Sequence, residues 1–474
     1  MPRLFKTFLL CIALLPGVAG GQLPKEVADG LRSAGIPLSN VGVVVQEVGA
    51  SRPWLIMNSH QPLNPASTMK LVTTYAALEL LGPAYRWKTE AYLDGENLLL
   101  KGYGDPKLNY ESFWMLLRNL RGRGLREIRG DVILDRSYFA PAPDAPFDSE
   151  IYRPYNVGPD ALLVNFKSLR FTFLPNEGKV RVFVEPALPG LEVLNSLRLA
   201  DGPCPEGRAF RDLVGATFES KPRPRATFTG VYPAQCGEKD FNVALHAPED
   251  YAAGMIRQLW AEMGGSWSGK VREGVVPAGA RLLYTHESEP LGETVRSINK
   301  FSNNVMARQL FLTLAAELVG TPALPENATR AIQQWLTLKN IRAPELVLEN
   351  GSGLSRNERI SAGNMAALLQ AAWKSPVMPE FVASLPVVAA DGTMKKRMRG
   401  ERVAGSAHIK TGLLNEARAI GGYVLDRNGR RHVVVMIINH PRAPDTDAVM
   451  DALLAWVYNG PTTRGPATSN RPGA

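Results

Sequence analysis

Apolar residues crowd VGVVVQEVG (41–49), and PWLIMN (53–58) follows across a short turn, so the two stretches predict paired strands. In NPASTMKLVTTYAALELLG (64–82) the period changes: Pro65 opens and Gly82 closes a helical pattern. From Arg86 to Ala247 strand-like runs dominate, among them ENLLLKGYG, GDVILD, LRFTFLP and KVRVFVEP, punctuated by Gly, Pro and Asp turns. Helical patterns return from Pro248 in DYAAGMIRQLWAEMG, SNNVMARQLFLTLAAELVG, TRAIQQWLTLKN and SAGNMAALLQAAWKS. SAHIKTG and ARAIGGYVLDRNGRRHVVVMIINH read as strands again, with Asn428-Gly429 as a hairpin turn. DTDAVMDALLAWVYN predicts a last helix, and residues 460–474 a disordered tail. The order implies an α/β (α+β) domain whose antiparallel sheet is flanked by helices. A strand-rich insertion of roughly 160 residues splits it.

The length of 474 residues calls for two or three domains. The start departs from the globular pattern. Arg3 and Lys6 precede an apolar run from Phe8 to Leu15 and then small residues through Gly21, the order of a secretory signal over residues 1–21. Cleavage near Gly20 or Gly21 is expected, giving an exported, periplasmic protein. Cys11 would leave with that segment. Cys204 and Cys236 then form the expected disulfide, closing a loop worth on the order of 3 kcal/mol. The net charge of +9 falls by 2 without Arg3 and Lys6, and suits anionic wall polymer or lipid headgroups. The basic stretch RNLRGRGLREIRG (118–130) lacks interleaved aromatics and reads as a solvated helix face, so no nucleic-acid partner is expected. No metal or other cofactor is expected: the six histidines are scattered, THESE (285–289) is not HExxH, and no phosphate-binding loop or dinucleotide fingerprint appears.

Three short motifs carry candidate chemistry. Ser67-Thr68-Met69-Lys70 starts the 64–82 helix, with Lys70 one turn beyond Ser67 on the same face. A serine hydroxyl needs a base, and a lysine serves when burial or a nearby cation lowers its pKa. The spacing alone is common; Ser297 and Lys300 share it, and a helix cap beside a surface lysine explains it as well. Ser302-Asn303-Asn304 precedes an apolar helix, where a hydroxyl and an amide two residues apart can face one cleft or simply cap the helix. Lys410-Thr411-Gly412 lies in a strand-like run, with Lys410 and Gly412 on one face and Thr411 on the other. Glycine there lets a substrate backbone lie close.

The set SxxK, SxN and KTG in this order resembles the penicillin-interacting serine enzymes. GYGDPKL (102–108), GDVILDRSYF (130–139), INKFSNN (298–304), NGSGLSR (350–356) and KTGLLNEARAIGGYV (410–424) narrow the resemblance to the class C low-molecular-mass penicillin-binding proteins, the D-alanyl-D-alanine carboxypeptidases/endopeptidases. The gap of 235 residues between Ser67 and Ser302 (302 − 67) matches that family's large insertion. The resemblance implies a penicillin-binding-protein/β-lactamase-like transpeptidase domain over 22–87 and 283–459. It also implies one insertion domain over 88–164 and 240–282, and an inner one over 165–239. It implies Ser67 as nucleophile, Lys70 as base, Ser302 as proton relay, Asn304 on the acyl-side amide and Lys410 facing the substrate carboxylate. Thr411 and Gly412 shape the strand edge, and the backbone N–H groups of Ser67 and Leu413 form the oxyanion hole. Implied partners are peptidoglycan stem peptides, their cross-links and β-lactam antibiotics. Ser297 and Lys300 become a decoy, with Asn299 and Lys300 on the site rim. Three departures stand out: Leu413 where relatives carry Thr or Ser, Asn303 for Asp, and Asn350 for Asp. Thr411 is the expected substitute for the hydroxyl missing at 413. Two alternatives are a serine β-lactamase and a catalytically silent scaffold. Against the first, no Glu stands four residues before an Asn between 304 and 410, where a dedicated deacylating Glu would sit.

Overall fold

The computed structural model describes residues 22–141, 146–205 and 207–460. The expected signal segment 1–21 and the tail from 461 onward lie outside the described residues. One five-stranded sheet runs 407–414, 417–425, 431–439, 41–47 and 55–57 in spatial order, antiparallel throughout. Its inner strands are apolar at nearly every position because both faces are covered. Alternation divides the work. Val433, Val435 and Ile437 pack with Ala419 and Tyr423 under the helices Lys70–Leu80, Asn304–Leu318 and Ala362–Trp373. Val434, Met436 and Ile438 pack with Ile420 and Val424 under Lys25–Ser33 and Asp447–Asn459. The Asn428-Gly429 hairpin and the 41–47/55–57 strand pair stand as the pattern predicts.

A separate core begins where the chain leaves Trp87, in the first core, for Ala91, in the second. Residues 88–94, 97–102, 132–135, 271–273 and 281–287 make a second five-stranded sheet. A third sheet, between residues 169 and 243, is held by aromatic contacts among Phe171, Phe173, Phe218, Phe228 and Tyr232. A disulfide joins Cys204 and Cys236, in two connections between its strands. The helix Asn304–Leu318 ties this region to the first core. Gln309 exchanges two 2.8 Å hydrogen bonds with the Asp160 backbone, and Arg308 donates to the Val157 carbonyl.

The basic stretch 118–130 is helical only to Gly122, where the helix Tyr110–Gly122 ends; Glu127–Ile128 is a short strand beside Ser266–Trp267. Arg121 turns back to the Arg126, Met263 and Gly264 carbonyls and lies over Trp260. Part of the basic cluster is therefore joinery between two helix ends. Among the described residues no helix is long and apolar enough to cross a membrane.

Candidate active site

The expected 64–82 helix is subdivided. A 3₁₀ turn over Ala66–Met69 carries Ser67, and the α-helix starts at Lys70. Ala66 has φ +47°, a strained value for a residue with a Cβ. The turn is clamped from both sides. A Cβ on Gly412 would come 2.6 Å from the Pro65 carbonyl, and one on Gly353 1.8 Å from the Ala66 carbonyl. Gly412 thus lets the KTG strand close on the turn that carries Ser67.

Lys70 is fully buried, and its ammonium nitrogen finds three oxygens: Ser67 Oγ at 2.9 Å, Asn304 Oδ1 at 2.6 Å and the Ser352 carbonyl at 2.5 Å. None is a carboxylate. Burial, and next the charge of Lys410, hold its pKa well below the usual lysine value, with Glu358 acting the other way. Lys410, also fully buried, donates to Ser302 Oγ at 2.9 Å and to the Thr411 carbonyl at 2.7 Å, and burial lowers its pKa to about 7.

Ser302 closes the helix Leu291–Phe301 in the left-handed region, φ +56°. Asn303 caps the next helix by accepting from Met306 N–H, and Asn304 is that helix's first residue. This sharp join turns Ser302 Oγ toward Lys410 and Asn304 Oδ1 toward Lys70. Asn303 needs only an acceptor oxygen, which Asn supplies as Asp would. Asn350 has the same job, accepting from Ser352 N–H and Oγ–H. Neither departure removes an interaction.

Thr411 Oγ1 donates to Thr393 Oγ1 at 2.9 Å. Leu413 is 53% exposed. The strand 407–414 is the sheet's edge. Ala407 O and Ile409 N bond to residues 388 and 386 across that edge, so by alternation the backbone groups of Thr411 and Leu413 also point outward. Leu413 N–H is therefore aimed into open space beside the serine turn.

Ser67, Lys70 and Asn304 thus meet directly, as do Ser302 and Lys410. Asn299 and Lys300 do not line a rim. Asn299 is buried against Thr74 and Ser384, and Lys300 donates to Leu385 O and Asp391 Oδ2, each at 2.6 Å. The reason is helical phase: both face the core side of the Leu291–Phe301 helix, away from the Ser302 turn. Three contributors escaped the sequence. Ser352 offers a backbone carbonyl, Thr393 a hydroxyl, and buried Glu358 accepts from the N–H groups of residues 349, 350 and 351. Only NGSGLSR carried a local signal near them. Among the described residues no cluster fit for a metal ion appears.

Beside Phe301–Val305 opens a cleft of about 720 Å³, its other wall formed by Tyr110, Tyr155, Arg153 and Arg170.

A model described as the D-Ala-D-Ala carboxypeptidase 3 (S13) family matches residues 23–459. A D-alanyl-D-alanine carboxypeptidase of Actinomadura sp. (strain R39) is 30% identical, across 96% of this chain and 88% of that protein. D-alanyl-D-alanine carboxypeptidase DacB of Haemophilus influenzae is 24% identical, across 91% of each. The crystal structure of penicillin binding protein 4 (dacB) from Haemophilus influenzae shares the fold, with a TM-score of 0.75 over 91% of this chain and 99% of that one, at 24% identity. A family match over residues 23–459, on a site where the serine meets a buried lysine, settles the kinship: this chain belongs to the D-Ala-D-Ala carboxypeptidase 3 (S13) family.

Proposed function

We propose that the protein is a serine D-alanyl-D-alanine carboxypeptidase that acts through a Ser67 acyl-enzyme and is acylated by penicillins. The observation that carries this reading is Lys70 Nζ at 2.9 Å from Ser67 Oγ, buried, with only neutral acceptors around it. Such a lysine loses its proton readily and takes the one Ser67 must shed. Ser67 Oγ attacks the carbonyl between the two terminal D-alanines, and its proton passes to Lys70. The oxyanion lies between the Ser67 and Leu413 backbone N–H groups. The C–N bond breaks as Ser302 hands a proton to the departing D-alanine, with Lys410 behind it. Asn304 holds both Lys70 and the acyl-side amide. Water attacks the ester and restores Ser67.

DD-endopeptidase action on D-Ala–diaminopimelate cross-links is part of the same proposal. Support comes from the cleft beside Phe301–Val305, which has room for a second peptide. The functional setting is the cell wall outside the cytoplasm, supported by the signal pattern at residues 1–21 and the Cys204–Cys236 disulfide. Residues 88–164 with 240–282 are proposed as one insertion domain and residues 165–239 as a second nested within it, together bracing the cleft's far wall.

Incubating the purified protein with benzylpenicillin and mapping the adduct by mass tests the reading. A stable penicilloyl group on Ser67, absent in Ser67→Ala and retained in Ser297→Ala, is expected. Fast hydrolysis without adduct would make it a β-lactamase; neither adduct nor hydrolysis would make it a scaffold.

A further inference from the structure

The position after KTG raises a problem of chemistry. A substrate ending in D-alanine brings a carboxylate to the KTG strand, and Leu413 has no hydroxyl to meet it. The loop between the helix Met378–Ser384 and the KTG strand runs along that strand's edge. Val388 N–H donates to Ala407 O, and Ile409 N–H donates to Pro386 O, so the loop is stitched to the strand. Asp391 fixes its turn, accepting from Val387 N–H at 2.7 Å and from Lys300 at 2.6 Å. The loop therefore holds Thr393 in place, exposed, with Oγ1 at 2.9 Å from Thr411 Oγ1. Two hydroxyls own two protons, and the bond between them uses one. The other is free to point outward from exposed Thr393, beside Thr411.

We propose that Thr393 is a substrate-binding residue: paired with Thr411, it seats the C-terminal carboxylate of the substrate in place of the hydroxyl absent from Leu413. The inference rests on the carboxypeptidase reading above and extends its carboxylate contact to a second segment of the chain. Lys300 and Asp391 are positioning residues in this arrangement, since they touch the loop and not the substrate.

The test compares diacetyl-L-Lys-D-Ala-D-Ala with its C-terminal carboxamide. Thr393→Val should lower kcat/KM for the free acid about tenfold or more, mostly through KM, because a hydrogen bond to a charged group is lost. It should leave the carboxamide nearly unchanged, so the acid-to-amide preference collapses. Thr393→Ser should keep the preference, and Leu413→Thr in the Thr393→Val background should restore it. Equal loss on both substrates, or no loss on either, overturns the inference while a Ser67 penicilloyl adduct leaves the carboxypeptidase reading standing. A wild-type protein that takes neither the peptides nor penicillin overturns both.

Discussion

Two serine–lysine pairs with the same three-residue spacing lie in this molecule, and only one meets. Ser67 and Lys70 are hydrogen bonded at 2.9 Å, on a 3₁₀ turn pressed between two glycines. Ser297 and Lys300 occupy a regular helix, and the lysine reaches away to Asp391 and the Leu385 carbonyl. Both ammonium groups are buried. One has a carboxylate partner. The other has two side-chain oxygens, a backbone carbonyl and a second cation behind it. What lowers a lysine's pKa toward that of a base is therefore its company, which sequence spacing does not encode.

The largest break in this contrast comes from removing each lysine. Lys70→Met should cut penicillin acylation at least about a thousandfold with the fold intact, as loss of a catalytic base does. Lys300→Met should act on stability instead. Asp391 is partly exposed, so the loss is about 1–3 kcal/mol, seen as a lower Tm. If Lys300→Met abolished acylation in a protein of unchanged Tm, the contrast would fail.

Acidity gives a finer test. On the proposed reading acylation needs neutral Lys70, so its rate should fall as the pH drops through that group's depressed pKa. Lys410→Met removes one cause of the depression, and the acid limb of the profile should move to higher pH. Lys410 itself, with a pKa near 7, loses its charge as the pH rises past neutrality; KM for substrates with a free carboxylate should climb there. Stopped-flow acylation and steady-state assays across pH measure both.

The smallest effect on acylation is expected from Glu358→Gln. Glu358→Gln keeps an oxygen for the three N–H groups it collects, and changes acylation only a few-fold. Glu358→Leu strands those donors and should lower Tm by several degrees, each orphan costing about 1–3 kcal/mol.

Much of this was legible beforehand because its signals are local. The alternation in RHVVVMIIN, the Asn428-Gly429 turn and the helix following Asn303 each depend on neighbours in the chain. The three motifs were readable as a set because their order and settings agreed. What stayed hidden depends on distant partners. The split of the 64–82 helix follows from Gly353 and Gly412, hundreds of residues away. Thr393 gains meaning only from Thr411, and Asn299 and Lys300 are drawn inward by Ser384, Leu385 and Asp391. The reading of 118–130 as one helix failed because Gly122 and Gly124 end it and Arg121 finds a better use at a second helix end.

The stitched segment 386–388 has one more effect. It covers the KTG strand at 407–409 and leaves the edge bare only from Thr411 onward. A peptide laid antiparallel on that edge runs C-terminus first into the covered end. There is no track for a main chain to continue. On the proposed reading this edge gauges chain ends: the backbone ends one residue past the bond that is cut, and anything attached further leaves sideways, through a side chain.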